Sequence, residues 1–136
     1  MRPGVWLAIG ALSAALAVAM GAFGAHGLRG STQASVSQGT LSEAERQRRL
    51  ETFDTAARYQ MYHALGLLVV GLLASSRPSL GVSIAGWAFV VGTLLFSGSL
   101  YALVLSGIKV LGAITPFGGA AMIVGWVALA VCVWKR

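Results

Sequence analysis

Four apolar stretches follow one another along the chain, and polar residues gather in the gaps between them. The first runs from Val5 to Leu28 (5–28) without a charge. About 20 such residues cross hydrocarbon as a helix, so a first spanning helix is expected there. Arg2 before it raises a signal segment as a rival. The apolar part of such a segment runs only about 7–15 residues, however, and this stretch ends in Gly21-Ala22-Phe23-Gly24-Ala25-His26-Gly27, a pattern suited to helix packing. A retained helix is expected. The second span, 59–75, stops at Ser76-Arg77-Pro78, because proline lacks the N–H a helix needs and disfavours helical geometry in the residue before it. The third, 80–105, is closed by Gly107 and Lys109. The fourth, 116–133, opens on Thr115-Pro116, read as a cap and first helical residue, and Lys135 and Arg136 anchor its end. Between the last two, Val110 to Ile114 is apolar and suits the interface.

The long gap, 29–58, reads in two parts. Arg29 to Gly39 is rich in Ser, Thr, Gln and Gly and predicts a polar loop. Ser42 and Glu45 then have the spacing of a capping box, in which the serine oxygen accepts a free backbone N–H and the glutamate reaches back. Leu50, Phe53 and Ala57 recur at helical spacing among charged residues, predicting an amphipathic helix that lies on the membrane surface and leads into the second span. The expected fold is all-α: one membrane domain over 1–136, a transmembrane four-helix bundle with a short amphipathic helix before the second span. Short connections make neighbouring helices antiparallel. An open sheet would leave edge groups unsatisfied in lipid, and a barrel would alternate polar and apolar residues.

Composition strengthens this picture. The 136 residues are 57% hydrophobic and only 10% charged, against about 25% charged in a soluble domain. The net charge of +6 would suggest nucleic acid in a soluble protein. Here the basic residues flank apolar runs, so headgroups and topology account for them and no nucleic-acid partner is expected. The expected partners are the bilayer and a second copy or another membrane protein. Arg29, Arg46, Arg48, Arg49, Arg58 and Lys109 fall on one side, and Arg2, Arg77, Lys135 and Arg136 on the other. The richer side faces the cytoplasm by the positive-inside rule, which places both termini outside a cell inner (plasma) membrane. The single cysteine, Cys132, forms no internal disulfide and reads as a small packing residue.

Lipid tails are as apolar as leucine, so helices in a bilayer associate through close approach at small residues. Gly10, Ser13, Ala17, Gly21 and Gly24 line one stripe of the first helix; Gly92, Ser97 and Gly98 mark the third, and Gly118, Gly119, Ala121 and Gly125 the fourth. Of these, Gly21, Gly24, Gly98, Gly118 and Gly119 are singled out as packing positions among 18 glycines. His26 ends the first apolar run and His63 begins the second. Antiparallel spans would bring both to one membrane face. Such a pair can link helices by hydrogen bonds, relay protons, or ligate a metal or haem iron. A stable metal site normally needs three or four ligands, so neither metal nor cofactor is expected. Arg58, Tyr59 and Gln60 adjoin His63 and complete a candidate ligand or lipid-headgroup site with His26; Tyr59 and His63 share a helix face. Tyr59 and Tyr62 also suit interface anchoring, and Trp6, Trp87, Trp126 and Trp134 read as interface anchors or lipid-facing bulk. Ser97, Ser99 and Tyr101 place hydroxyls inside the third span, where they bond to backbone or across helices. No acid or base lies deep in a span, which argues against an ion-driven carrier. The sequence has no nucleotide-binding loop, nucleophile elbow or zinc-protease motif, and no enzyme activity is expected.

Four segments carry a family resemblance: Gly21 to Leu28, Ala57 to Leu65, Phe96 to Tyr101, and Leu111 to Gly119. On these the chain resembles the YgdD/YwdK-like family of small membrane proteins, catalogued as domain of unknown function 423. It departs from the family pattern around Ser31 to Gly39, where the first connection is longer and more polar. The resemblance implies a four-span membrane protein and no established reaction. The expected role is therefore structural or interactive. The alternative is binding or transport of a small molecule or lipid through the His26/His63 region.

Overall fold

The structure, a computed structural model, describes residues 2–134 and is helical throughout. The expected anchors Lys135 and Arg136 lie outside the described residues. Four long helical stretches are joined by short turns. The first comprises α1 (Pro3–Phe23), a π-helical segment (Gly24–Leu28) and α2 (Arg29–Ser37). The second is a single helix, α3 (Glu43–Ser76). The third comprises α4 (Leu80–Thr93), a π-helical segment (Leu94–Gly98) and α5 (Ser99–Ser106). A 3-10 turn (Lys109–Ala113) leads into α6 (Thr115–Trp134).

The polar loop expected over 29–39 is helical instead. Its hydroxyls turn inward along the helix: Thr32 donates to the Leu28 carbonyl at 2.7 Å, and Ser35 and Ser37 donate to those of Ser31 and Gln33. Side chains that would compete for the backbone in a loop thus bond to the helix itself. The helix ends at Gly39, whose φ of +70° is left-handed. Thr40 N–H reaches the Ser35 carbonyl and Gly39 N–H that of Val36, the paired bonds of a Schellman motif, which favours glycine at this position. Ser42 then caps α3 by accepting from Glu45 N–H at 3.2 Å. Only half of the expected capping box forms, because the Glu45 carboxylate turns to Arg48 and Arg49.

Side-chain neighbours fix the directions. Gly10 lies beside Ala64 and Leu68, and Gly24 beside Phe53, so the first stretch is antiparallel to α3. Gly66 faces Phe89 while Phe53 meets Tyr101, so α3 is antiparallel to the third stretch. Gly92 faces Met122 and Gly125 faces Phe89, making α4 and α6 antiparallel as well.

Two apolar cores result. Trp6, Leu67, Val70, Val82, Ala85, Phe89 and Leu129 form the larger; Leu28, Phe53 and Val104 form the smaller, toward the tip of the α2–α3 hairpin. Phe53 is only 1% exposed, so the apolar face of residues 43–58 is covered by protein and does not rest on a membrane surface as expected. Trp6 is likewise no interface anchor: it is 1% exposed and its indole fills the space above Gly86.

Three helical stretches, Pro3–Ser37, Leu80–Ser106 and Lys109–Trp134, are long and apolar enough to cross a membrane. The helix α3, expected to supply a span over 59–75, is not among them. Its apolar half, from Ala64 on, is preceded by Arg58, Tyr59, Gln60, Tyr62 and His63.

Of the expected packing glycines, Gly10, Gly24, Gly92, Gly118 and Gly125 lie close against neighbouring helices, and Gly21, Gly98 and Gly119 do not. A Cβ at Gly21 or Gly98 would meet nothing within 4 Å, and one at Gly119 would make ordinary contact with the Phe96 ring at 3.8 Å. The backbone close approaches are at Gly10, where a Cβ would fall 2.9 Å from the Ala64 carbonyl oxygen, and at Gly118, 2.9 Å from that of Gly92. Gly24 faces the Phe53 ring at 2.9 Å. The reason is register: the continuous hairpin sets which residues of α1 face α3, and Gly21 and Gly98 fall on the outside.

Candidate functional site

Between the two cores lies a layer of buried polar side chains carried mainly by α3. Gln60 and His63, each 4% exposed, sit one turn apart. Gln60 spans two neighbours: its Nε2 donates to the Ser13 carbonyl of α1 at 3.2 Å, and its Oε1 accepts from Tyr101 OH of α5 at 2.9 Å. His63 Nδ1 lies 2.8 Å from the Tyr59 carbonyl, one turn earlier in α3, and Nε2 accepts from the Trp126 indole of α6 at 3.2 Å. This pair assigns the neutral tautomer with the proton on Nδ1, since a carbonyl only accepts and an indole only donates. Through these two residues α3 is hydrogen-bonded to α1, α5 and α6.

Aromatic rings enclose the layer. The His63 imidazole meets Phe89 edge-on at 5.4 Å and stands 6.0 Å from Trp126, while Tyr59 stacks on Phe96 at 4.5 Å. Nearby, Ser99 Oγ donates to the Phe96 carbonyl at 3.0 Å and lies 2.9 Å from the Thr115 hydroxyl. Ser97 Oγ, on the second π-helical segment, is buried without a hydrogen-bond partner among the described residues.

The expected site is only half assembled. His26 does not reach His63. Because Gly10 lies opposite Ala64, His63 is level with the first half of α1, and His26 lies roughly 20 Å farther along at about 1.5 Å per residue. The expectation took 29–39 as a loop and the helix after Ser42 as lying on the membrane surface, which would return the chain to one level. The hairpin turns only at 38–42, so His26 is instead level with the N-terminal part of α3. It is exposed beside Arg29, Gln33 and Arg46. Arg58 is exposed and pairs with Asp54 at 2.6 Å; Tyr59 is exposed at its edge and Tyr62 more so. Of the five candidate residues, Gln60 and His63 alone are buried. Among the described residues no three His, Cys, Asp or Glu side chains come together as a metal site would require.

Ser13 and Trp126 were not foreseen as partners. Ser13 contributes a backbone carbonyl, which leaves no mark on the sequence. Trp126 read as an interface anchor, and its role depends on where α6 sits against α3. Its indole remains partly exposed.

The arrangement is suited to joining helices. Each polar atom of Gln60 and His63 that would otherwise face hydrocarbon is met by one from another helix or from the preceding turn.

Comparison with known proteins places this geometry in context. Residues 20–119 match the family model described as "Protein of unknown function (DUF423)". UPF0382 membrane protein SAB0533 of Staphylococcus aureus is 45% identical over 131 residues, covering 96% of each chain. UPF0382 membrane protein YwdK of Bacillus subtilis is 44% identical over 132 residues, 96% of this chain and 97% of its own. UPF0382 membrane protein SSP2132 of Staphylococcus saprophyticus is 43% identical, with coverage of 96% and 98%. No solved structure matches the chain significantly.

Proposed function

The chain belongs to the DUF423 family and is a multi-pass membrane protein; we infer that it serves as a structural or interaction protein, built as a four-span helix bundle, without covalent chemistry. The fourth span is the apolar half of α3. It is supported by the position of Ala64 to Ala74 between the other three helices, at their level. Arg29, Arg46, Arg48, Arg49 and Lys109 share the hairpin end and Arg58 lies midway along α3, whereas Arg2 and Arg77 lie at the other end. The positive-inside rule then puts the hairpin in the cytoplasm and both termini across the inner membrane. Large apolar side chains such as Leu12, Leu16, Leu72 and Val127 face outward, as contact with lipid or with helices of a second copy or partner requires.

The observation that carries this reading is the commitment of Gln60 and His63 to hydrogen bonds that join α3 to its neighbours. A side chain so engaged stabilises the bundle and is not held free for a substrate. Interhelical hydrogen bonds in membranes contribute about 0.6–1.7 kcal/mol each. The double substitution Gln60→Ala, His63→Ala is therefore expected to lower the thermal stability of the full-length protein in detergent by about 2–4 kcal/mol, since stranded partners add to the loss. Unchanged melting together with loss of a small-molecule ligand from the purified protein would overturn the reading.

A further inference from the structure

A second feature lies away from the polar layer, at the hairpin end. A cavity of about 300 Å³ opens between the first turns of α3 and the end of α5. Arg48, Arg49 and Lys109 supply three cations to its wall, and Glu45 the one carboxylate. Arg48 and Arg49 both bond to Glu45, the latter through Nε at 3.2 Å. Lys109 has no carboxylate within ion-pair distance among the described residues. The wall thus keeps a surplus of two positive charges. Leu103 and Val104 close the other side. A second groove shares Arg49 and Val104 and is mixed in character, with Phe23, Leu28 and Leu105 beside the hydroxyls of Ser31, Ser35 and Thr40. Next to Lys109, Ile108 and Val110 are exposed apolar side chains, as suits a chain entering the interface.

The geometry points to a binding site for an anionic phospholipid, with the phosphate held by Arg48 and Lys109 and an acyl chain lying over Leu105, Ile108 and Val110. A cationic recess alone would suit any phosphate. The exposed apolar side chains of Leu105, Ile108 and Val110 beside it, on a protein that lives in a bilayer, select the lipid. Glu45 sets the strength of the site by neutralising part of the charge. The site shares no residue with the Gln60/His63 layer, and the proposed structural role does not depend on it.

Native mass spectrometry of the full chain in detergent, with phosphatidylglycerol or phosphatidylcholine added, tests this. Phosphatidylglycerol should be retained in preference to phosphatidylcholine. Arg48→Gln with Lys109→Gln should reduce that retention roughly tenfold or more, given about 1 kcal/mol per basic residue near anionic lipid. Arg58→Gln, on the same helix but outside the cavity, should leave it unchanged. Glu45→Gln should increase retention, a gain that a folding defect cannot mimic, so this variant decides the matter even where the double variant is unstable. Equal retention of the two lipids would overturn the proposal. So would a loss in Arg58→Gln as large as in the double variant, no gain in Glu45→Gln, or displacement of phosphatidylglycerol by inorganic phosphate, which would mark a free-phosphate site.

Discussion

The two halves of α3 solve opposite problems with the same backbone. From Glu43 to Arg58 the helix pairs its charges along its own length, Arg46–Glu43, Arg48–Glu45, Arg49–Glu45 and Arg58–Asp54, Arg46 being the one largely covered. Ion pairs open to solvent contribute little, and this half is held by Phe53 and Leu50 against the first and third stretches. Beyond Tyr59 the arrangement inverts. Large apolar side chains such as Leu65, Val69 and Leu72 face outward, Gly71 admits the backbone of α1 at Leu7, and Gln60 and His63 turn inward to other helices. The charged half shows that a polar face is inexpensive where water is present. The apolar half shows that, where water is absent, a polar group must find a protein partner.

The sharpest way to break the comparison is to block close approach in the apolar half. Leucine at Gly10 would drive its Cβ to 2.9 Å from the Ala64 carbonyl oxygen and 3.1 Å from Leu68 N. Both are backbone atoms of α3 that cannot swing aside. Overpacking costs about 1–3 kcal/mol and occasionally more, so Gly10→Leu is expected to lose at least about 3 kcal/mol in detergent unfolding. Gly21→Leu, on the open face of the same helix, should change stability by less than about 0.5 kcal/mol. Equal losses in the two variants would mean that α1 and α3 do not meet in this register.

That pair also marks what could be read from the chain. Spacing and apolarity identified the helices, because continuous uncharged runs of this length have few alternatives in a bilayer. The stop at Pro78 and the cap at Ser42 were legible for local reasons. The helix over 29–37 was missed because Ser31, Thr32, Ser35 and Ser37 have the composition of a loop; what makes them helical is their bonding to carbonyls of the preceding turn. The neglected signal was Gly39, a helix-ending residue three positions before Ser42. With it, the tight hairpin and the separation of His26 from His63 would have followed. Gln60 and His63 were recognisable as polar residues at the mouth of an apolar run. Their partners at Ser13, Tyr101 and Trp126 depend on how four helices face one another, which periodicity within one helix does not encode.

A smaller effect tests the inward-turned polar groups. In Trp126→Phe the ring is kept against Phe89, where centroids stand 4.8 Å apart, but the N–H that His63 Nε2 accepts is lost. The expected cost is about 1 kcal/mol. Trp134→Phe, at a side chain 89% exposed, serves as the control and should be near neutral. Detergent unfolding of both variants reads the difference, and a Trp126 variant as stable as the control would reduce the His63 bond to a mere proximity.

The smallest effect belongs to the charged half and is a matter of pH. Hydrogen bonds from Arg49 and then Arg48 hold the Glu45 carboxyl below the ordinary glutamate range. Its folded value is thus lower than its unfolded one, so its contribution is fully present above the unfolded value and is lost as pH falls through the folded value. Between the two the unfolded chain binds more protons, and acid favours unfolding. Melting of the wild type should therefore decline slightly more on acidification than that of Glu45→Gln, which has no such proton to take up. The group is solvent-exposed, so screening keeps the difference small, and added salt should shrink it further. A salt-insensitive difference would mean that the pair is sheltered from water, and the contrast between the two halves of α3 would lose its physical basis.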